Sequence, residues 1–167
     1  MDKGKIIFLT GVPSSGKTSL ARVLQAKLCK HYYWISRDTF TDDMAPETKK
    51  ENDWPEIYQT CCNLHNHSIK LFSDIGVNVI VDCVMLHEDN NYVNLLYGYP
   101  ILFIHVTCSS ITELRRREAE RGDRGIGQGE SQLANISPNI IFDATVDTFE
   151  NTIDECANEI IKLINDQ

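Results

Sequence analysis

The chain of 167 residues predicts an α/β fold, a five-stranded parallel sheet with helices on both faces. Three observations carry this. Short apolar runs alternate with segments of helical periodicity five times. The first run, Ile6-Ile7-Phe8-Leu9, is continuously apolar, as a strand buried on both faces should be. It leads directly into G-V-P-S-S-G-K-T at Gly11 to Thr18, and Leu20, Ala21, Leu24 and Leu28 follow at helical spacing.

The elements follow in order. The first strand spans about Lys5 to Thr10 and the first helix about Lys17 to Cys29. A second strand, Tyr32 to Ser36, ends at Arg37-Asp38. The polar stretch Thr41 to Asp53 lacks periodicity and reads as a mobile segment. A long helix runs from Trp54 to Asp74, with Pro55 in its first turn and Gly76 past its end. Its expected inner face is Ile57, Cys61, Leu64, Ser68, Leu71 and Ile75. The third strand is Val77 to Val84, and a short helix covers His87 to Leu96. The fourth strand is Ile101 to Thr107, with His105 expected in the core. A helix then spans Ile111 to Glu120. Gly125, Gly127 and Gly129 make a flexible crossing to the fifth strand, Ile141 to Val146. The last helix spans Glu150 to Ile164. The whole reads as one domain, with an acceptor-binding segment at about 38–75 and a lid at about 117–137.

Gly11 to Thr18 matches the phosphate-binding loop G-x-x-x-x-G-K-[ST] at every position. Gly11 and Gly16 permit backbone conformations that turn successive N–H groups inward. Val12, Pro13, Ser14, Ser15 and Ser19 complete the cradle, and the positive end of the following helix faces the same anion. Lys17 can reach the β- and γ-phosphates, and Thr18 can place its hydroxyl on Mg²⁺. With strand and helix in place on either side, this is a P-loop NTPase fold. Ligands of such sheets bind outside the carboxyl ends of the strands, which brings Asp38 and Asp82 to the edge that carries the loop.

Asp38 lies just past the second strand. It can accept a hydroxyl proton as a general base or serve in a helix cap, and its position favours the base. Asp82 ends the run Val79-Ile80-Val81. It can hold the Mg²⁺ shell or simply be a polar strand end, and the metal role is favoured. Arg117, Arg121 and Arg124 form a candidate clamp on the moving phosphoryl group. Arg115 and Arg116 read as a solvated face paired with Glu113, Glu118 and Glu120. Asp147 and Thr148 either line the base pocket of a nucleotide or cap the last helix. Cys61, Cys62, His65 and His67 lack the paired spacing of a zinc site. For Trp54 and Tyr58, packing is preferred to substrate stacking.

The net charge of −8 argues against a broad nucleic-acid or anionic-membrane surface. No segment is long enough to span a membrane, and the N-terminus passes into the first strand without room for a signal peptide. Six cysteines without C-x-x-C spacing read as reduced, so the expected location is the cytoplasm.

These residues resemble the chloramphenicol phosphotransferase-like kinases. The similarity is carried by G-V-P-S-S-G-K-T, by D-T-F at Asp38 to Phe40 and by I-V-D at Ile80 to Asp82. R-E-A-E-R-G-D-R at Arg117 to Arg124, F-D-A-T-V-D-T at Phe142 to Thr148 and E-C-A at Glu155 to Ala157 extend it. The resemblance implies a small ATP- and Mg²⁺-dependent kinase acting on a hydroxyl of a small molecule, with a fold similar to nucleoside-monophosphate and shikimate kinases. It also implies Asp38 as the base and Arg121 and Arg124 as lid arginines. Two departures bear on the acceptor: the segment after Asp38 is shorter and differently composed, and Cys83 stands where the family has a second acid. A nucleoside, nucleotide or sugar acceptor, and a nucleotide-binding regulatory module without an acceptor, remain as alternatives.

Overall fold

A computed structural model describes residues 2–28, 31–50, 52–85, 94–122, 125–136 and 140–165. Five strands form one sheet: β1 (Ile6–Thr10), β2 (Tyr32–Ser36), β3 (Asn78–Cys83), β4 (Ile101–Thr107) and β5 (Ala144–Asp147). Their order is β2-β3-β1-β4-β5 and every pairing is parallel. The chain therefore builds to one side of β1 and then to the other, which leaves a crevice beyond the carboxyl end of β1.

The period of two along each strand divides the core. Ile7 and Leu9 face one side with Leu20, Ala21 and Leu24 of α1 (Lys17–Lys27) and Cys156, Ala157 and Ile160 of α6 (Ile153–Asn165). Ile6 and Phe8 face the other side with Ile69 of α3 (Trp54–Asp74). Helices thus cover both faces, as the apolar strands require.

The ends of β2, α3 and β4 fall where the sequence predicts. Other expectations are corrected. The buried face of α3 is Cys61, Cys62, His65, Asn66, Ile69 and Ser73, whereas Leu64, Leu71 and Ile75 are more than half exposed. The helix is rolled so that polar side chains meet the end of β2. The 41–53 stretch holds the end of α2 (Arg37–Asp42) and a 3₁₀ turn at Thr48–Lys50. Met44 packs on Cys61, and Lys49 pairs with Asp42 at 3.2 Å. The strand β5 begins three residues later than expected, with Ile141 and Phe142 before it. The last helix starts at Ile153, because Thr152 and Glu155 form a reciprocal capping box. Most of the helix expected at His87 to Leu96 lies outside the described residues, as does Arg124. No helix among the described residues is long and apolar enough to cross a membrane.

Candidate active site

The loop after β1 wraps the start of α1. Gly16 takes φ +98°, with Thr148 and Ile153 lying where a side chain would go. Gly11 is needed for a different reason, since a Cβ there would stand 2.0 Å from the Val106 carbonyl oxygen of β4. Lys17 is buried and its Nζ donates to the Val12 carbonyl at 2.8 Å, which folds the side chain across the loop. Among the described residues, the hydroxyls of Ser14 and Ser15 are buried without a hydrogen-bond partner. Of the two, Ser14 lines the cleft, where a buried polar atom of that kind suits an oxyanion.

Thr18 donates its hydroxyl to Asp82 Oδ2 at 2.6 Å. Asp82 is 5% exposed. Burial pushes its carboxyl up, opposed by the Lys17 ammonium and by the Thr18 hydrogen bond; the nearby Asp38 charge pushes it further up and Arg121 down. Two hard oxygens side by side fit Mg²⁺. Strand register explains the meeting: Asp82 pairs with Ser36 on one side and Leu9 on the other, next to the loop.

Ser36 is the N-cap of α2, its hydroxyl accepting from the Asp38 amide at 3.3 Å. Asp38 is thereby relieved of capping, and its exposed side chain opens on the cleft. That cleft has a volume of about 900 Å³. Pro13, Ser14, Gly16, Lys17, Thr18 and Ser19 line its floor. Asn151, Thr152 and Ile153 also line it, as do Arg37, Tyr58, Cys83 and Val84.

Arg121, in the last turn of α4 (Ile111–Arg121), lines the cleft. Arg117 also lines it but is engaged as a strut. It donates to Glu113, to the Ser14 carbonyl, and to the hydroxyl and carbonyl of Thr148. Thr148 in turn donates to the Ser15 carbonyl at 2.8 Å, so it ties β5 to the loop and is not a helix cap. Gly11, Val12 and Ser15 are buried beneath the loop surface, and with Asp147 they are not among the residues lining the cleft. Asp147 is turned onto backbone. Burial alone would raise its carboxyl; the amides of Phe149 and Ser109 outweigh that and hold it below its ordinary value.

Two features escaped the sequence reading. Glu118, expected on a solvated face, is fully buried and accepts from the Gly127 amide at 2.6 Å and the Gly129 amide at 2.7 Å. The glycine crossing is thus anchored, and α5 (Gln128–Gln132) lies against the phosphate loop, where a Cβ on Gly129 would stand 2.8 Å from the Pro13 carbonyl oxygen. Arg37 is the second, a buried cation at the cleft wall. Its position one residue before Asp38 was the available signal. Arg115 pairs with Glu130, and Arg116 with Glu113 and Glu120. His105 is half-buried and stacks on Phe142 at 4.9 Å.

A family model described as chloramphenicol phosphotransferase-like protein matches residues 4–165. A relative from Mycobacterium tuberculosis strain H37Rv, named for an inferred O-phosphotransferase activity, is 28% identical over 96% of this chain and 82% of its own. The APS kinase CysC of Mycobacterium tuberculosis, solved with AMPPNP and APS, superposes with a TM-score of 0.72 at 20% identity over 99% of both chains. Shikimate kinase from Acinetobacter baumannii, solved with shikimate, superposes with a TM-score of 0.69 at 14% identity, covering 98% of this chain and 95% of that one. At those identities the two structures speak for the fold alone, that of the P-loop kinases. Matched over nearly its whole length, the chain belongs to the chloramphenicol phosphotransferase-like family of phosphotransfer enzymes.

Proposed function

We propose that the protein is an ATP-dependent O-phosphotransferase that moves the γ-phosphoryl group onto a hydroxyl of a small molecule. The observation that carries this reading is the convergence of Lys17, the Thr18–Asp82 pair and Asp38 on one cleft. Its volume of about 900 Å³ suits a nucleotide and a small acceptor together.

Each residue then has a task. The loop amides and Lys17 hold the phosphates. Thr18 and Asp82 would hold Mg²⁺, which supplies neutralisation of phosphate charge. Asp38 accepts the acceptor's hydroxyl proton and aims its oxygen at the γ-phosphorus. The new oxygen–phosphorus bond forms as the bond to the β-phosphate oxygen breaks and ADP departs. Arg121 stabilises charge on the moving group, with Arg124 as a second candidate beyond the described residues. The reading takes the protein to be cytoplasmic, supported by five free cysteines among the described residues.

The test is ADP release from Mg²⁺-ATP against hydroxylated small molecules, including chloramphenicol, nucleosides and sugars. One acceptor should stimulate release, and Asp38→Asn should lower kcat by about 10²- to 10⁴-fold while ATP still binds. Tight ATP binding with no stimulation by any acceptor would favour a regulatory module instead.

A further inference from the structure

We infer that the exposed apolar stripe on α3, together with Tyr33 of β2, is the docking face for a second copy of this chain, and that the protein pairs through it as a two-fold homodimer. The stripe lies outside the cleft, so the inference stands apart from the phosphotransferase reading.

Leu64, Leu71 and Ile75 follow at intervals of seven and four residues along α3, which puts them on one face of the helix. They and Tyr33 are each more than half exposed. The Tyr33 ring lies 5.0 Å from that of Phe72, the neighbour of Leu71, so the stripe runs on to β2. β2 is an end strand, with only β3 beside it among the described residues. Lys70 and Asp74 turn the other way, toward Tyr99 before β4. Lys70 stands 5.9 Å from the Tyr99 ring, and Asp74 accepts from the Tyr99 hydroxyl at 2.7 Å. The apolar surface therefore reaches the free edge of the sheet.

Charge, area and symmetry identify the occupant. The positions beside the stripe on that side of α3, Ile57, Thr60, Cys61, Ser68 and Phe72, are uncharged. Two chains of net charge −8 repel each other, and they approach most closely through a face that carries no charge. A membrane surface would ask for Lys or Arg flanking the stripe, and those positions hold none. The four exposed side chains offer roughly 400 Å² of largely apolar surface, as large as the functional patches of ordinary monomers. A standard interface takes about 800 Å² from each partner, a little over half of it apolar, so the patch supplies most of that share. Antiparallel pairing about a two-fold axis near Ser68 sets Leu64 of each copy against Leu71 of the other, and Thr60 against Ile75. None of Tyr33, Leu64, Leu71 and Ile75 lines the cleft, so both clefts stay open.

Sedimentation equilibrium of the full chain reads the mass directly. At micromolar concentration the wild type should weigh two chains and Leu71→Glu one. A substitution enters a two-fold interface twice, so the dimer Kd should rise by at least about a hundredfold. Tyr33→Ser, on the strand rather than the helix, should weaken pairing as well. Both side chains are exposed within one chain, so the variants should fold, and an unchanged far-UV spectrum with intact Mg²⁺-AMPPNP binding checks that. Ile141→Glu is the control. Ile141 is 92% exposed just before β5, at the opposite edge of the sheet, and its variant should stay dimeric. A monomeric wild type overturns the inference, and so does a dimer that survives both Leu71→Glu and Tyr33→Ser or that Ile141→Glu breaks equally. Leu71-dependent binding of a monomeric wild type to phosphatidylcholine vesicles would overturn it too, and would assign the stripe to a lipid surface.

Discussion

Thr18 and Asp82 stand 64 residues apart in the chain, and their oxygens meet at 2.6 Å. One comes from the first turn of α1 and the other from the end of β3, so only the parallel register around β1 joins them. Burial raises the Asp82 carboxyl, which means the ionised group is held against its desolvation. A group with a raised folded value favours the fold below its unfolded value and loses that contribution as pH rises through the folded one. Ionised Asp82 therefore opposes folding at neutral pH, and a divalent cation would relieve it.

Asp82→Asn keeps an oxygen for Thr18 and removes the charge. The unfolding midpoint without ligand should rise at pH 8 relative to wild type. The added stabilisation from Mg²⁺ with nucleotide should shrink, with apparent Mg²⁺ affinity down at least about tenfold. Thermal unfolding with and without Mg²⁺-nucleotide reads both, and a variant destabilised at pH 8 with intact Mg²⁺ response would contradict the assignment.

His65 offers a second pH signature. Burial first, and then the Arg37 charge, push its value down to about 4. Its stabilising contribution is complete above the unfolded value near 6.5 and is lost as pH falls toward 4. The shift corresponds to roughly 3 kcal/mol. Denaturant unfolding between pH 7 and 4 should show that loss, and His65→Gln should flatten it. An unchanged slope would place the acid sensitivity elsewhere.

The legible parts of this fold were those where one force dominates. Continuous apolar runs marked β1 to β4, and Pro55 and Gly76 bracket α3 to the residue. The face of α3 was misread because Leu64, Leu71 and Ile75 outweigh Cys62, His65 and Asn66 in hydropathy. The helix carries Tyr58 and His65, and both interact with Arg37 of α2. Glu118 misled for the same reason, since a carboxylate reads as solvated unless its two amide donors are known. The T-I-D-E run from Thr152 to Glu155 was a usable capping signal for the start of α6.

Removing the Glu118 carboxylate should loosen the segment that holds Gly127 and Gly129. Glu118→Ala strands the buried Gly129 amide and frees the Gly127 amide, a loss of about 2–4 kcal/mol in all. Limited proteolysis should cut within 122–136 faster than in wild type. Glu118→Gln keeps one acceptor oxygen and should fall between. Equal cleavage rates in all three proteins would show that the anchor does not govern this segment.

Arg117 and Arg121 both line the cleft, but their bonding predicts opposite kinetic signatures. Arg117 spans the Ser14 carbonyl, Thr148 and Glu113, so it shapes the loop that holds phosphate. Arg117→Met should cost about 1–2 kcal/mol of stability. It should also weaken nucleotide binding by about tenfold, with kcat near wild type at saturation. Arg121 sits at the end of α4, within electrostatic reach of Asp82. Arg121→Met should instead lower kcat by about 10²- to 10³-fold with nucleotide Kd little changed, because its charge matters most when the phosphoryl group moves. Separate measurement of nucleotide Kd and single-turnover rate distinguishes the two. If Arg117→Met carried the loss in rate and Arg121→Met the loss in binding, the roles would have to be exchanged.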